Sequence, residues 1–180
     1  MDIRLGDARY LEFPDARFDL VVFSSNGLDA LGHEDRMLAL TEIRRVLRTR
    51  GRFLFSSHNH LGPGPRERPW SLPPVHLRQP RSSARAIGKR ILRQRRMREN
   101  FRASEAIHTD GTGWSIAASG AADFGLVIHY ATVEELLGEL REVGFSGPVE
   151  GWDDARGVRL EPSGAHRRVW YFNVIAALSA

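Results

Sequence analysis

Two short apolar runs separated by a helical pattern stand near the start of the chain. Phe18–Phe23 (FDLVVF) and Arg52–Ser57 (RFLFSS) place bulky apolar residues between polar flanks, a pattern typical of strands buried on both faces of a parallel sheet. Between them, apolar residues recur at helical spacing from Leu40 to Leu47. Strand, amphipathic helix and strand predict a βαβ unit with a right-handed crossover. The natural fold class is therefore α/β.

Charged residues mark both ends of the predicted helix. Glu34 and Asp35 stand at its start, where carboxylates favour the positive end of the helix dipole. Arginines crowd its end, and Gly51 follows them as the predicted C-terminal cap.

A second set of elements is predicted after Phe124. Phe124–Tyr130 (FGLVIHY) is a further apolar segment after the basic region. Thr132 and Glu135 have the spacing of a capping box, which predicts a helix that ends at Gly144. Two further strands are predicted around Val149–Trp152 and Val169–Leu178, with a turn at 162–164.

The region from Asn59 to Asp123 interrupts this alternation of strand and helix patterns. It contains six prolines and then a basic stretch, IGKRILRQRRMRENFR. Between Arg66 and Arg102 there are 12 Arg and Lys against two Glu, a net charge of +10, so the rest of the chain sums to −6 within an overall +4. We expect a single domain over 1–180, in which 59–123 is an inserted, lid-like basic segment.

The composition excludes several kinds of chemistry. The chain has no cysteine, which removes disulfides, thiolate metal sites and cysteine nucleophiles. No stretch approaches the roughly 18 apolar residues of a membrane span, so a cytoplasmic protein is the default expectation. The seven histidines show no ligand spacing, and no metal site is predicted from the sequence.

The order of these signals resembles the class I S-adenosylmethionine (SAM) dependent methyltransferases, in particular the methyltransferase type 11 group. GDARYLEFPDARFDLVVFSSNGLD (6–29) is similar to that family's stretch from the end of its third strand to the end of its fourth. LTEIRRVLRTRGRFLFSSHN (40–59) is similar to its helix, turn and fifth strand, with Thr49-Arg50-Gly51 in place of the usual Pro-Gly-Gly. The ending, an EVGF helix followed by a hairpin, also fits.

The resemblance implies a partial Rossmann-like fold, a mostly parallel sheet with an antiparallel C-terminal strand and a basic insertion after the fifth family strand. The implied strand order is three, two, one, four, five, seven, six, and this chain would begin at strand three. Strands one and two, the glycine-rich SAM-binding loop and the acidic residue for the ribose would then lie upstream of Met1. That truncation would weaken or abolish SAM binding, and it would expose an edge of Phe18–Phe23 that favours self-association.

Polar residues follow three predicted strands, at the sheet edge where ligands of open α/β sheets bind. Asp7 resembles the family position that accepts a hydrogen bond from the adenine amino group, with the Ala8 amide nearby. Ser24, Ser25 and Asn26 would face the methionine moiety or the acceptor. The alternatives are an exposed turn carboxylate for Asp7 and local bonding at a strand end for the others.

Four residues are candidates for catalysis. His58 and His60 follow the Arg52–Ser57 strand, and histidine is the residue type most often used as a general base near neutral pH. His129 and Tyr130 precede the Thr132 helix, where the family's acceptor pocket often closes. Ordinary loop histidines are the alternative for the first pair, and core packing is the alternative for the second.

Two functions from different classes remain open. The first is methyl transfer from SAM to an unidentified, small-molecule acceptor. The second is a non-catalytic, methyltransferase-like binding module that uses the basic segment 66–102 to contact nucleic acid or a partner. For that segment a lid or a solvated helix is favoured over a surface for nucleic acid or anionic lipid, because its arginines are not interleaved with a series of aromatic residues, and Phe101 alone is not enough for base stacking.

Overall fold

The computed structural model describes residues 3–71, 80–153, 155–164 and 166–179. Seven strands and three α-helices are assigned within those ranges. In chain order they are β1 Phe18–Phe23, α1 His33–Val46, β2 Leu47–Asn59, α2 Pro80–Glu105, β3 Thr109–Asp110, β4 Trp114–Ala118, β5 Val127–Ala131, α3 Val133–Glu142, β6 Val149–Asp153 and β7 Tyr171–Ala177.

The long strand β2 organises the sheet. Along one edge it pairs antiparallel with β7, which pairs in turn with β6. On its other edge it pairs in parallel first with β1 and then, at His58 and Asn59, with β5. The run β1-β2-β7-β6 is the order implied for family strands four, five, seven and six. Because β5 continues the edge just beyond β1, it lies next to the short 3₁₀ helix Gly27–Ala30 that follows β1.

The balance of strand directions differs from the expected mostly parallel sheet. Among the described strands, only the β1–β2 and β2–β5 pairings are parallel, and the other four pairings are antiparallel. The reason is local connectivity, since β3, β4 and β5 follow one another through short turns, which join strands in antiparallel fashion. The segment 59–123 therefore adds β3 and β4 to the main sheet, besides the helix α2.

The predicted boundary after α1 is wrong. The helix ends at Val46, and the chain passes directly into β2 at Leu47, which has an extended backbone. Gly51 lies inside β2 rather than capping the helix. An added Cβ at Gly51 would lie 2.7 Å from the carbonyl oxygen of Arg48, so glycine is needed here for a close backbone approach. Arg50 beside it has a φ of 65°, and the β1–β2 register shifts at this point.

The strand expected before Asp7 is also absent from the described residues. Residues 3–6 have no assigned secondary structure, and Asp7 makes only an isolated bridge with Tyr10. A strand needs a neighbour for its N–H and C=O groups, and the described part of the chain offers none at this point.

Most of the core lies between the sheet and the helices α1 and α3. The residues Leu40, Phe53, Leu136 and Phe172 are completely buried there. A second, smaller cluster joins α2 to β4 through Met97, Ala118 and Phe124. The predicted cationic helix is present as α2, with Ile91 and Leu92 exposed on it.

No helix in the described ranges is both long enough and apolar enough to cross a membrane.

The predicted cap of α3 is confirmed, and it supports a stability prediction. The Thr132 hydroxyl accepts a hydrogen bond of 3.0 Å from the backbone N–H of Glu135. Thr132→Ala is therefore expected to lower the free energy of unfolding by about 1 kcal/mol. The matched control is Thr41→Ala within α1, whose hydroxyl bonds the Met37 carbonyl at an exposed site and whose loss should cost almost nothing. Equal effects of the two variants in urea denaturation would contradict the assignment.

Candidate functional site

Two of the three predicted polar clusters meet at the carboxyl ends of β1 and β2. The backbone N–H of Asn26 donates to the Ser56 hydroxyl at 3.0 Å, and the Asn26 amide nitrogen lies 3.4 Å from His58 Nε2. The parallel pairing of β1 with β2 produces this proximity, because it brings both strand ends to the same edge.

A tight turn after β1 shapes this edge. Ser25 and Asn26 both have positive φ, 57° and 53°, a conformation that non-glycine residues seldom adopt. An added Cβ at Gly27 would lie 2.6 Å from the Phe23 ring, so a larger residue would not fit without a shift. The turn directs the chain into a short 3₁₀ helix that carries Asp29. Such strain at a ligand-binding edge is common in functional sites.

Asp29 is the central residue of the site, and the sequence interpretation missed it. One carboxylate oxygen, Oδ2, accepts the backbone N–H of His58 at 2.7 Å and lies 2.8 Å from His58 Nδ1. The other, Oδ1, accepts from the Ser57 hydroxyl and from Arg36, each at 2.7 Å. Its position three residues after Asn26, in the polar stretch that follows β1, was the available signal.

The Asp29 carboxylate orients the His58 imidazole. A proton on Nδ1 is held by the carboxylate, which leaves the lone pair of Nε2 directed toward Asn26. The side chain of His58 is 23% exposed, whereas that of Asp29 is fully buried. An imidazole held in one tautomer by a buried carboxylate, with its second nitrogen reachable, is suited to accepting a proton.

A buried ion-pair network continues from Asp29 into the protein. Arg36 on α1 donates to Asp29 and, through Nε at 2.9 Å, to Glu139 on α3. Burial disfavours the charged guanidinium, but the two carboxylates outweigh burial and raise the pKa of Arg36. The network fixes α1 and α3 relative to the end of β2.

The other catalytic candidates occupy different surroundings. His60 bonds the Ser115 hydroxyl at 3.0 Å, and partial burial lowers its pKa. Tyr130 pairs with His58 in register, and the two rings lie 5.6 Å apart. Its phenol is buried, which raises its pKa. The His129 side chain faces His33 and Glu139. Burial lowers its pKa to about 2.

Asp7 and Ala8 lie in a separate part of the surface. Arg9 donates to the Asp7 carboxylate through its backbone N–H and its guanidinium, which lowers the Asp7 pKa to about 2. Arg9 also reaches Asp35 at 3.0 Å, in the first turn of α1. Among the described contacts, none joins Asp7 to Ser24, Ser25 or Asn26. An open cavity of about 810 Å³ adjoins it, lined by residues between Arg4 and Phe18.

A protein-family model matches the first part of the chain. Residues 1–55 match the family model described as a methyltransferase domain. This stretch covers β1, α1 and the first part of β2. No curated protein matches the sequence.

Several solved structures with the same fold are described as methyltransferases. A SAM-dependent methyltransferase from Methanosarcina mazei aligns with a TM-score of 0.53 and 16% identity, covering 98% of this chain and 66% of that one. An S-adenosylmethionine dependent methyltransferase from Mesorhizobium loti gives 0.53 and 18%, covering 96% and 67%. The CcbJ methyltransferase from Streptomyces caelestis gives 0.50 and 14%, covering 98% and 63%. The chain spans about two-thirds of the length of these proteins.

The chain thus has the fold of the class I SAM-dependent methyltransferases, which confirms the α/β fold class and the resemblance found in the sequence. Its first 55 residues are similar to the methyltransferase domain model.

Proposed function

We propose that this chain takes part in the transfer of a methyl group from SAM to a small-molecule acceptor. The observation that carries the proposal is the Asp29–His58 pair at the carboxyl-end rim of β1 and β2. In open α/β sheets this rim is where ligands bind, and a histidine oriented by a buried carboxylate is equipped to take a proton from the acceptor.

The described residues fit part of a SAM site. The cavity beside Asp7 combines a carboxylate acceptor with exposed apolar groups, including Leu5 and Tyr10, a combination suited to the amino group and ring of adenine. The Asp7 carboxylate already accepts several bonds from Arg9, so it would exchange one of them for the adenine amino group. We assign Asp7 and Ala8 to the adenine end, and Ser24, Ser25 and Asn26 to the methionine end or the acceptor.

In the proposed reaction the protein has few chemical tasks, because SAM supplies the reactive carbon. Bound SAM supplies an electrophilic methyl carbon on sulfur, and the acceptor's lone pair forms the new bond as the carbon–sulfur bond breaks. His58 Nε2 takes the proton that the acceptor loses, and Asp29 stabilises the resulting imidazolium. His60 lines the same side of β2 as a further polar contact. We assign Tyr130 to a positioning role beside His58, and we assign His129, which faces His33 and Glu139, no role in the proton transfer.

The adenine assignment is tested by binding. Asp7→Ala is expected to weaken SAM binding about tenfold, since one hydrogen bond to the ligand is worth about 1–1.5 kcal/mol. Saturation-transfer NMR with SAM or S-adenosylhomocysteine measures this even when binding is weak. The control is Asp19→Ala on β1, an exposed carboxylate paired with Arg48, which should leave binding unchanged. Equal affinities of both variants would reject the role of Asp7.

The second candidate function is binding through the basic helix α2. Its side chains at Arg85, Lys89, Arg93, Arg96 and Arg102 are exposed, so α2 carries a dense positive charge at the surface. Such a surface attracts polyanions, with an affinity that falls steeply as salt rises.

A double replacement on α2 tests this candidate. If α2 binds nucleic acid, Arg96→Glu with Arg102→Glu should weaken binding of a short RNA or DNA duplex in an electrophoretic shift assay and reduce its salt dependence. The matched control is Arg17→Glu with Arg52→Glu, two exposed arginines outside α2. Binding that is absent in the wild type, or insensitive to salt, would leave methyl transfer as the one surviving candidate.

A further inference from the structure

Three potential metal ligands converge behind the Asp29–His58 site, although they are far apart in the sequence. His33 opens α1, His129 lies in β5 and Glu139 lies in α3. His33 Nδ1 is 3.2 Å from His129 Nε2, and Glu139 Oε1 is 3.8 Å from the first nitrogen and 3.9 Å from the second. In the described part of the chain, these three residues are the group whose potential ligand atoms all lie within 4.8 Å of one another.

These separations are close to what a tetrahedral cation requires. Nitrogen and oxygen ligands bind Zn²⁺ at about 2.0–2.1 Å, so neighbouring ligands of a tetrahedral ion lie about 3.3 Å apart. One edge of the triangle already has this length, and the two edges to Glu139 would shorten by about half an ångström. A small rotation of the Glu139 carboxylate is enough.

The Glu139 carboxylate is satisfied on one side only. Its Oε2 accepts a hydrogen bond from Arg36 at 2.9 Å, but its Oε1 has no hydrogen-bond partner in the described structure. The side chain is 2% exposed, and an unpaired carboxylate oxygen at that depth is costly. Oε1 faces both imidazole nitrogens at distances too long for hydrogen bonds. A cation between the three atoms would satisfy it.

The local charge also favours a cation. In the buried network, the single positive charge of Arg36 faces two carboxylates, those of Asp29 and Glu139. The Nε2 atom of the buried His129 faces His33 and Glu139, where a neutral imidazole would offer its lone pair to a metal. A hydrogen bond between His33 and His129 would use one proton. It would leave the net negative charge of the network without a counter-charge.

Neighbouring groups hold the ligands in place. The Trp114 ring stacks on His33, with centroids 4.2 Å apart and planes 3° from parallel. Arg36 fixes the Glu139 carboxylate from behind. Such outer contacts are a regular feature of metal sites, where they orient the ligands. His33 is 29% exposed, so a cation would enter the site from the His33 side.

We propose that His33, His129 and Glu139 form a binding site for a divalent transition-metal ion, with Zn²⁺ as the best match. Two imidazoles and one carboxylate suit zinc far better than magnesium or calcium, which prefer oxygen ligands alone. The ion would join α1, β5 and α3 and so stabilise the helices that support Asp29. The site is separate from the proposed methyl-transfer site, and its test needs neither SAM nor an acceptor.

The first experiment adds metal to EDTA-treated protein. Calorimetric titration with ZnCl₂ should give one equivalent per chain, and CoCl₂ should produce the intense visible bands of a tetrahedral Co²⁺ site. At a hundredfold excess over Kd, Zn²⁺ should raise Tm by about 5 °C or more. A chain that shows neither saturable binding nor a rise in Tm would overturn the proposal, and a proton shared between His33 and His129 would then explain their contact.

Variants assign the ligands. His33→Phe keeps a ring against Trp114 but removes the ligand atom, and Glu139→Gln keeps the shape but removes the charge. Each should weaken zinc binding at least about tenfold. The control is His108→Phe, an exposed histidine paired with Asp110, which should bind zinc like the wild type. Since His33 is partly exposed, its variant remains folded even if Glu139→Gln does not. Unchanged Kd in His33→Phe would reject the site.

Discussion

Replacement of Arg36 by methionine is expected to lower the free energy of unfolding by about 3–5 kcal/mol. Arg36 is completely buried and bridges Asp29 and Glu139 at 2.7 and 2.9 Å. Methionine fills much of the same volume, but it leaves two buried carboxylates without their counter-charge. The loss is the cost of uncompensated charge, since the complete network need not stabilise the fold relative to an apolar replacement. Urea denaturation measures it directly.

Two further variants separate charge from packing at this position. Arg36→Lys keeps the charge but loses the planar fork that reaches both carboxylates, so its effect should be intermediate. Arg44→Met, on the same helix, removes an arginine whose bond to the Gly144 carbonyl is long and exposed, and it should cost less than about 1 kcal/mol. A loss from Arg36→Met no larger than that from Arg44→Met would show that the buried carboxylates are protonated or otherwise compensated.

The largest expected effect on activity comes from the Asp29–His58 pair. If His58 is the general base, His58→Gln should lower the rate of methyl transfer by about 10²–10⁴-fold. Asp29→Asn should have an effect of similar size, because the amide no longer fixes the Nδ1 proton of His58 or stabilises its charged form. Formation of S-adenosylhomocysteine over a panel of hydroxyl and amine acceptors measures these rates.

The double variant distinguishes a catalytic pair from two independent defects. Residues that act as one unit are strongly non-additive, so Asp29→Asn with His58→Gln should be about as slow as either single variant. His108→Gln serves as the control, since His108 is exposed and has no proposed role in methyl transfer. Multiplicative effects, or full activity of His58→Gln, would remove His58 from the proton path and leave positioning as the means of catalysis.

The elements were predictable where local patterns are strong. The bounds of β1 were predicted residue for residue, and the cap of α3 was predicted from Thr132 and Glu135. The end of α1 was missed because the helical apolar stripe runs on to Leu47, while sheet pairing takes Leu47 into β2. Tertiary pairing overrode the local signal, and Gly51 serves a strand irregularity instead of a helix cap.

The cluster of polar groups at the carboxyl ends of β1 and β2 was predictable in part, since parallel strands bring their carboxyl ends together. The sequence therefore indicated Asn26 and His58, which the structure brings together. It did not indicate Asp29 as the partner of His58, because a short polar stretch carries no periodicity that tells a buried carboxylate from an exposed one. Asp7 was placed at a strand end, but the described structure holds it in a turn with Arg9.

By itself, the sequence determined the α/β class, the order of the elements from β1 to β2 and from β5 to β7, and the resemblance to methyltransferases, because those properties follow from hydrophobic periodicity and motif order along the chain. Only the tertiary structure decided which distant polar groups became neighbours. Glu139 comes within reach of His33 although the two lie 106 positions apart in the sequence, and Arg36 joins it to Asp29. Such contacts depend on how α1, β5 and α3 pack, and no spacing along one chain encodes that distance.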